Sequence, residues 1–444
     1  VRGEQSAYRD ADRLKQLYGV VPEETLNPEA EYFDQTDVFR LQKNAIAAGK
    51  KRIVLFVFDG MDWQTTRAAA IAKAGEVSYQ SGRGQGLAFQ DYDKTETDFG
   101  SFVSSPHNNG TNVDVDSQAV QNVGGKTSGG YSVRLGTSTA WDDTDADAMY
   151  LTAQHSELVH AYTDSASSAT SMTSGIKTYN NAINVDPAGR EVLPIARTLQ
   201  ADGFAVGAVS SVPISHATPA CSYANNVHRS DYQDITRDML GLPSVFHPGG
   251  LEGLDVLIGA GWGEVKDSDG GQGDNFVPGN RYLSEEDLQT LDASQGGRYS
   301  IATRTAGSSG SDVISQAAKQ AVDDDKRLFG FFGVAGGHLH YQTADGGYDP
   351  VQSMGNPSAA KPEEYTRADV EENPSLADMT EAALQVLSAR SDRWWLMVEP
   401  GDVDWANHAN NIDNSNGALL SGESAFQRVT LWIEDHGGWD DALV

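Results

Sequence analysis

The chain predicts an α/β fold, a three-layer α/β/α sandwich built around a central, mainly parallel sheet. Three observations carry this expectation. Short apolar runs recur along the 444 residues, and they are consecutive rather than alternating, as strands buried on both faces require. Helical patterns stand between them, so strand and helix alternate from one end to the other. Several runs also end in residues able to do chemistry, and an open α/β sheet binds its ligands at the carboxyl ends of its strands.

Taken in order, residues 1–50 hold two polar helical stretches, "EQSAYRDADRLKQLYGV" and "TDVFRLQKNAIAAGKK". The run "RIVLFVFDG", residues 52–60, reads as the first strand, and "MDWQTTRAAAIAKAG" as the helix after it. Further strands are expected over 203–212, 254–261, 327–336 and 393–401, with "DALV" opening one more. Trp394 and Trp395 read as core. Helices are expected over "LPIARTLQAD", "GSDVISQAAKQAVDDD", "SLADMTEAALQVLSA" and "GESAFQRVTLWIEDHG". Residues 76–150 and 335–375, rich in Gly, Ser, Asn and Asp, interrupt the rhythm. Such insertions usually lie over a site or at a subunit contact. The organisation expected is one domain over 1–444 with two insertions that form a crown or interface region.

Sixty-three acidic against 32 basic residues give a net charge of −31. That surface repels nucleic-acid phosphates, so a nucleic-acid backbone is not an expected partner. It suits a salt-rich habitat, where screening relieves self-repulsion, with an ordinary acidic secreted protein as the alternative. No run of 18 apolar residues exists, so no membrane span is expected. Cys221 is the single cysteine, which leaves no disulfide within the chain. A first residue of Val rather than Met fits a mature periplasmic or secreted protein, or a trimmed chain.

Chemistry concentrates in a few segments. "EPGDVDWANHANN" carries Glu399, Asp402, Asp404 and His408. Asp404 and His408, four apart, share one face of a helical turn, and a carboxylate with an imidazole suits zinc. A solvated polar loop is the competing reading, weakened by the apolar strand before it. Asp59 in "FDGMDW" closes a strand before a glycine turn, or caps a helix. His216 and Thr218 in "SHATPA" are turn chemistry if taken alone, and Arg229 with His228 in "NNVHRSDY" is a surface cation unless it lies beside a phosphate. There its guanidinium would take two oxygens at once. "HAYTDSASSATSMTSGIKTYNNAINVD" resembles a linker in composition, yet Ser165 follows Asp164 and opens a helix-length run stopped by Gly175. Free N–H groups and the positive dipole end at a helix start suit a phosphate and an activated serine. "DSDGGQGDN" has part of a calcium loop without its terminal Glu, and His338 and His340, on one strand face, shape a cleft mouth or bind metal.

Read together, "FDGMD", "YTDSASSATSMTSGIKTYNNAINVD", "SHATPA", "HRS" and "VEPGDVDWANHANN" resemble, in order, the motifs of the alkaline phosphatase family. The resemblance spans residues 50–240 and 376–444. It implies hydrolysis of small phosphomonoesters by a homodimer holding two Zn2+ and one Mg2+. Ser165 would be the nucleophile, passing through a phosphoserine, and Arg229 the clamp on two phosphate oxygens. Asp59 would bridge one zinc and the magnesium, Thr218 and Glu399 would complete the magnesium ligands, and Asp404 and His408 would hold the other zinc. Asp164, His216 and Trp405 would stand around the substrate. Some members have Asp and Lys where this chain has His216 and Trp405, which implies weaker magnesium and phosphate-water contacts. The resemblance also implies an Asp-His pair after "DALV" and one distant His. Those three ligands lie outside these residues, so the sequence reads as truncated at its carboxyl end. Asp435 and His436 fall at a helix end before Gly437-Gly438 and are not taken as that pair. Two alternatives stand: a phosphodiesterase or sulfatase of the same superfamily, and a metal- or phosphate-binding protein if the truncation is natural.

Overall fold

Seven parallel strands form one sheet in the computed structural model. They are β1 (Arg52–Phe56), β2 (Ala205–Pro213), β3 (Val256–Ala260), β4 (Tyr299–Thr303), β5 (Arg327–Phe331), β6 (Trp394–Glu399) and β7 (Ala442–Leu443). Their order across the sheet is β7-β1-β6-β2-β3-β5-β4. The structure describes residues 3–92, 99–105, 110–124, 129–141, 147–152, 163–348, 351–352 and 362–444, with 351–352 and 362–363 described in backbone only.

The principal helices are α1 (Ala11–Tyr18), α2 (Gln35–Ala47), α3 (Trp63–Ala74), α4 (Ser165–Ser174), α5 (Ile195–Ala201), α6 (Ala217–Cys221), α7 (Tyr232–Leu240), α8 (Gly310–Asp323), α9 (Leu376–Arg390), α10 (Asp402–His408) and α11 (Ile412–Asp435). Most start on a side chain that accepts from the first-turn N–H groups: Asp34 for α2, Asp62 for α3, Asp164 for α4, Ser309 for α8 and Ser375 for α9.

The period-two alternation of buried strands sets up three layers. Ile53, Leu55, Val57, Val206, Ala208, Trp395 and Met397 face a core shared with α4, α5, α6 and α7. Val54, Ala205, Val209, Trp394, Leu396 and Val398 face the opposite core, with α8, α9 and α11. The adjacent tryptophans therefore serve opposite faces, and both are fully buried. The expected α/β/α sandwich is the observed one.

Three details differ from the expectation. β4 was not anticipated: it is an edge strand whose neighbour in the sheet is β5, its Ile301 and Thr303 are half-buried, and "YSIAT" makes no continuous apolar run. The strand expected over 327–336 ends at Phe331, because the chain turns at Gly333 (φ 143°) and Gly337 (φ 82°). His338 and His340 consequently lie in a loop rather than on a strand face. Finally, α11 begins at Ile412, well before "GESAFQRV", on the cap supplied by Asn411.

Candidate active site at the strand ends

β1, β2 and β6 run parallel and adjacent, so their carboxyl ends deliver three segments to one place. Past β1 comes Asp59, at the end of β6 comes Glu399, and past β2 come His216 and Thr218. Asp59, Asp164, Ser165, His216, Thr218, Arg229, Asp404, Trp405 and His408 all line one cavity of about 1060 Å3. Glu399 is buried behind it, 1% exposed.

Ser165 is the first residue of α4, and its Oγ donates to Asp59 Oδ2 at 2.9 Å. The helix itself is thin and buried: Ala166 through Ser174 have almost no exposure. Its hydroxyls find partners without leaving the core. Ser168 Oγ donates to Asp164 O (2.7 Å), Ser171 Oγ to Ser167 O (2.9 Å) and Thr173 Oγ1 to Ala169 O (2.9 Å). Asp164 caps the helix through Ser167 N (2.8 Å). Its other oxygen accepts from Asn181 N (3.0 Å) and from Arg229 Nη1 (3.2 Å). Arg229 N donates to Asn181 O (2.8 Å), which fixes the arginine beside the helix start.

α10 follows β6 directly and places Asp404 and His408 on one face, with His408 Nε2 3.4 Å from Asp404 Oδ1. Asp404 packs against Gly60, where an added Cβ would lie 2.7 Å from Asp404 Cα, and Gly60 has a φ of +70°. Asn407 Nδ2 donates to Gly60 O at 3.0 Å and joins the two segments further.

The electrostatics follow from burying acids together. Burial, then the Asp404 carboxylate, pushes Asp59 up to about 6. Burial, then Asp59, pushes Glu399 up to about 8, opposed by hydrogen bonds from Ser210 Oγ and the Thr218 hydroxyl. Burial raises Asp404 as well, opposed by His408 and Arg229. His216 goes the other way: burial, then Arg229 and Arg281, hold its pKa well below 6.5, so the ring is neutral. That ring stacks on Tyr232 (5.4 Å between centroids, 16°) and leans on Trp405 (5.3 Å).

Other residues singled out from the sequence lie elsewhere. Asp402, the first residue of α10, accepts from Ser211 Oγ (2.5 Å), and His228 Nδ1 accepts from Ser230 N (3.2 Å). His338 stacks on Tyr341 (4.2 Å) beside Trp405, and His340 packs on Tyr348. Asp269 accepts from Arg281 Nε at 2.7 Å, so the 267–275 loop is tied by an ion pair. His436 stacks on Trp432 (4.1 Å) at the end of α11. Ser210, Asn180 and Asn181 were not anticipated. Ser210 supports Glu399, and Asn180 Oδ1 accepts from Asp164 N (3.1 Å) and Ser167 Oγ (3.0 Å). Two serines at the end of an otherwise apolar strand, and a doubled Asn after a buried helix, were the available signals.

Residues 134–437 match the family model described as alkaline phosphatase. The chain belongs to the alkaline phosphatase family. Among its relatives, alkaline phosphatase 3 of Bacillus subtilis is 30% identical over 265 residues, covering 60% of this chain and 44% of that protein. The alkaline phosphatase of Escherichia coli K12 is 27% identical over 285 residues, covering 62% of this chain and 55% of that one. The chain thus spans about half the length of the curated relatives it matches. The crystal structure of Thermus thermophilus alkaline phosphatase shares the fold, with a TM-score of 0.50 at 18% identity over 88% of this chain and 58% of that one.

Alkaline phosphatases are metal-dependent, and the donor chemistry of this site suits divalent cations. Asp404 raises the affinity of Asp59 for its proton, and both raise that of Glu399, a preference that a cation among them would reverse. Two partial donor sets are visible: Asp404 with His408, and Asp59 and Glu399 with the Thr218 hydroxyl. Among the described residues no three His, Cys, Asp or Glu side chains gather closely enough to enclose an ion by themselves. No helix of the described residues is long and apolar enough to cross a membrane.

Proposed function

We propose that the chain hydrolyses phosphate monoesters to alcohol and inorganic phosphate through a phosphoserine on Ser165. One observation carries the reading: Ser165 Oγ stands at the first turn of α4, 2.9 Å from Asp59 Oδ2, in the cavity that Arg229 also lines. The cation set of the reading would be two Zn2+ and one Mg2+, to which Asp59, Ser165, Thr218, Glu399, Asp404 and His408 would contribute ligands. When bound, these ions lower the pKa of hydroxyls and offset charge on the phosphoryl oxygens.

The chain's own residues do the rest. Asp164 caps α4 and so fixes Ser165 at the helix start, where the N–H groups of the first turn favour an anion. Arg229, held by Asp164 through Nη1, would offer its guanidinium to two non-bridging oxygens, which a monoester has free. Ser165 Oγ gives up its proton to solvent and bonds to phosphorus as the bond to the ester oxygen breaks on the opposite side, and that oxygen takes a proton from solvent to leave as the alcohol. Water then attacks the phosphoserine in a second displacement, returning the serine and freeing phosphate. His216 and Trp405 present uncharged faces to that phosphate.

The same reading makes the protein a periplasmic or secreted homodimer, suited to salt that screens its net charge of −31. It is tested with a chromogenic monoester and diester on wild type and Ser165→Ala, with zinc content measured. Loss of monoester turnover by about 10^3-fold or more with zinc retained supports it. Preferred diester turnover would favour the diesterase or sulfatase alternative, and bound zinc without turnover a binding protein.

A further inference from the structure

The cavity that holds Ser165 and Arg229 is far larger than a phosphate, at about 1060 Å3, and it has an apolar wall of Phe56, Phe58, Met61, Phe102 and Met172. Met172 is buried, and Phe56, Phe58 and Met61 are partly covered. Phe102 is different, with 61% of its surface exposed. No aromatic ring contacts it among the described residues. A large apolar ring left open at the wall of a ligand cavity gains free energy when an apolar surface covers it.

The backbone that carries this ring is held on both sides. Ser101 N donates to Phe33 O at 2.7 Å. The Gln35 amide takes both polar groups of Val103, with Nε2 donating to Val103 O (2.9 Å) and Oε1 accepting from Val103 N (2.9 Å). Lys177 Nζ also donates to Val103 O (2.8 Å), and its charge is met by Asp34 Oδ2 at 2.9 Å. Gln35, Lys177, Asp34 and the Val103 side chain are all buried. Phe102 is therefore an exposed ring on a fixed support, a geometry that suits recognition.

We propose that Phe102 determines specificity for the organic half of the substrate. With the phosphoryl group at Ser165 and Arg229, an aryl or large apolar ester group packs on the Phe102 ring. The inference rests on the monoester reading above and deepens it, naming aryl and bulky apolar phosphomonoesters over small polar ones such as glycerol phosphate. Gln35 and Lys177 act as positioning residues for that ring.

The test is calorimetric binding of phenylphosphonate and methylphosphonate to metal-loaded wild type, Phe102→Ala and Phe102→Tyr. The phenyl-to-methyl affinity ratio should fall about 3- to 10-fold in Phe102→Ala, the range of one aromatic contact, and return in Phe102→Tyr. The ratio of kcat/KM for phenyl phosphate over glycerol phosphate should move in parallel. An unchanged binding ratio in Phe102→Ala overturns the assignment. Wild type that binds phosphonates without turning over monoesters rejects the hydrolase reading, while the ratio still decides the role of Phe102. Wild type that binds neither phosphonate overturns both.

Discussion

Asp404 lies so close to residue 60 that only a glycine leaves it room. Gly60 combines a φ of +70° with a Cβ position 2.7 Å from the Asp404 backbone. Gly60→Ala should therefore lower stability by at least about 1 kcal/mol, read as a urea midpoint shift, and move Asp404 and His408, read as a lower zinc content. His216 and Trp405 pose a different residue-scale question, since neither carries charge towards the phosphate. His216→Asp/Trp405→Lys adds an anion for a cation and an ammonium for phosphate. Phosphate inhibition should tighten roughly tenfold, as one charged hydrogen bond of about 1.5 kcal/mol would give. Unchanged inhibition would show that these positions do not set product release.

At the scale of the element, α4 explains why its sequence looks like a linker. Small side chains let the helix lie against the sheet face, the Ser168, Ser171 and Thr173 hydroxyls bond back to carbonyls one turn earlier, and Gly175 ends it at φ 73°. Composition alone could not distinguish this from a solvated segment, because burial comes from α2, α6 and the core shared with the sheet. The loop after α4 is tied to the start of α2 by the buried Lys177–Asp34 pair, with Tyr8 Oη also donating to Asp34 (2.8 Å). Lys177→Met leaves Asp34 buried without its cation and should cost about 3–5 kcal/mol. Lys177→Met/Asp34→Leu should recover part of that loss, which chemical denaturation of the three proteins would show. β4 marks the limit of pattern reading, since a half-buried edge strand needs no apolar run. The same limit applies to Ser210: its value lies in being the register partner of Glu399, across two strands far apart in sequence.

For the whole molecule, a parallel sheet with β1, β6 and β2 side by side brings residues 59, 165, 218, 229 and 399 together. The Asp404–His408 face was legible from spacing, and the strand-end carboxylates from their positions. Phe102 was not, because its placement depends on contacts from Phe33, Gln35 and Lys177. The gathered acids also predict a pH signature. Asp59 and Glu399 hold protons more tightly folded than unfolded, so their contribution to metal-free stability is full below 3.8 and 4.5. It is lost as pH rises towards about 6 and about 8. Bound cations remove that loss, so the gap in Tm between metal-loaded and metal-free protein should widen from pH 4 to pH 8 by calorimetry. A gap that narrows over this window would contradict the crowding of these carboxylates. The central claim, that Ser165 carries the phosphoryl group, is tested most directly by acid-quenching the metal-loaded protein during turnover of a phosphomonoester and mapping phosphate by peptide mass spectrometry. The account predicts phosphate on the peptide containing Ser165 and none in Ser165→Ala; phosphate at another residue, or full turnover by Ser165→Ala, would contradict it.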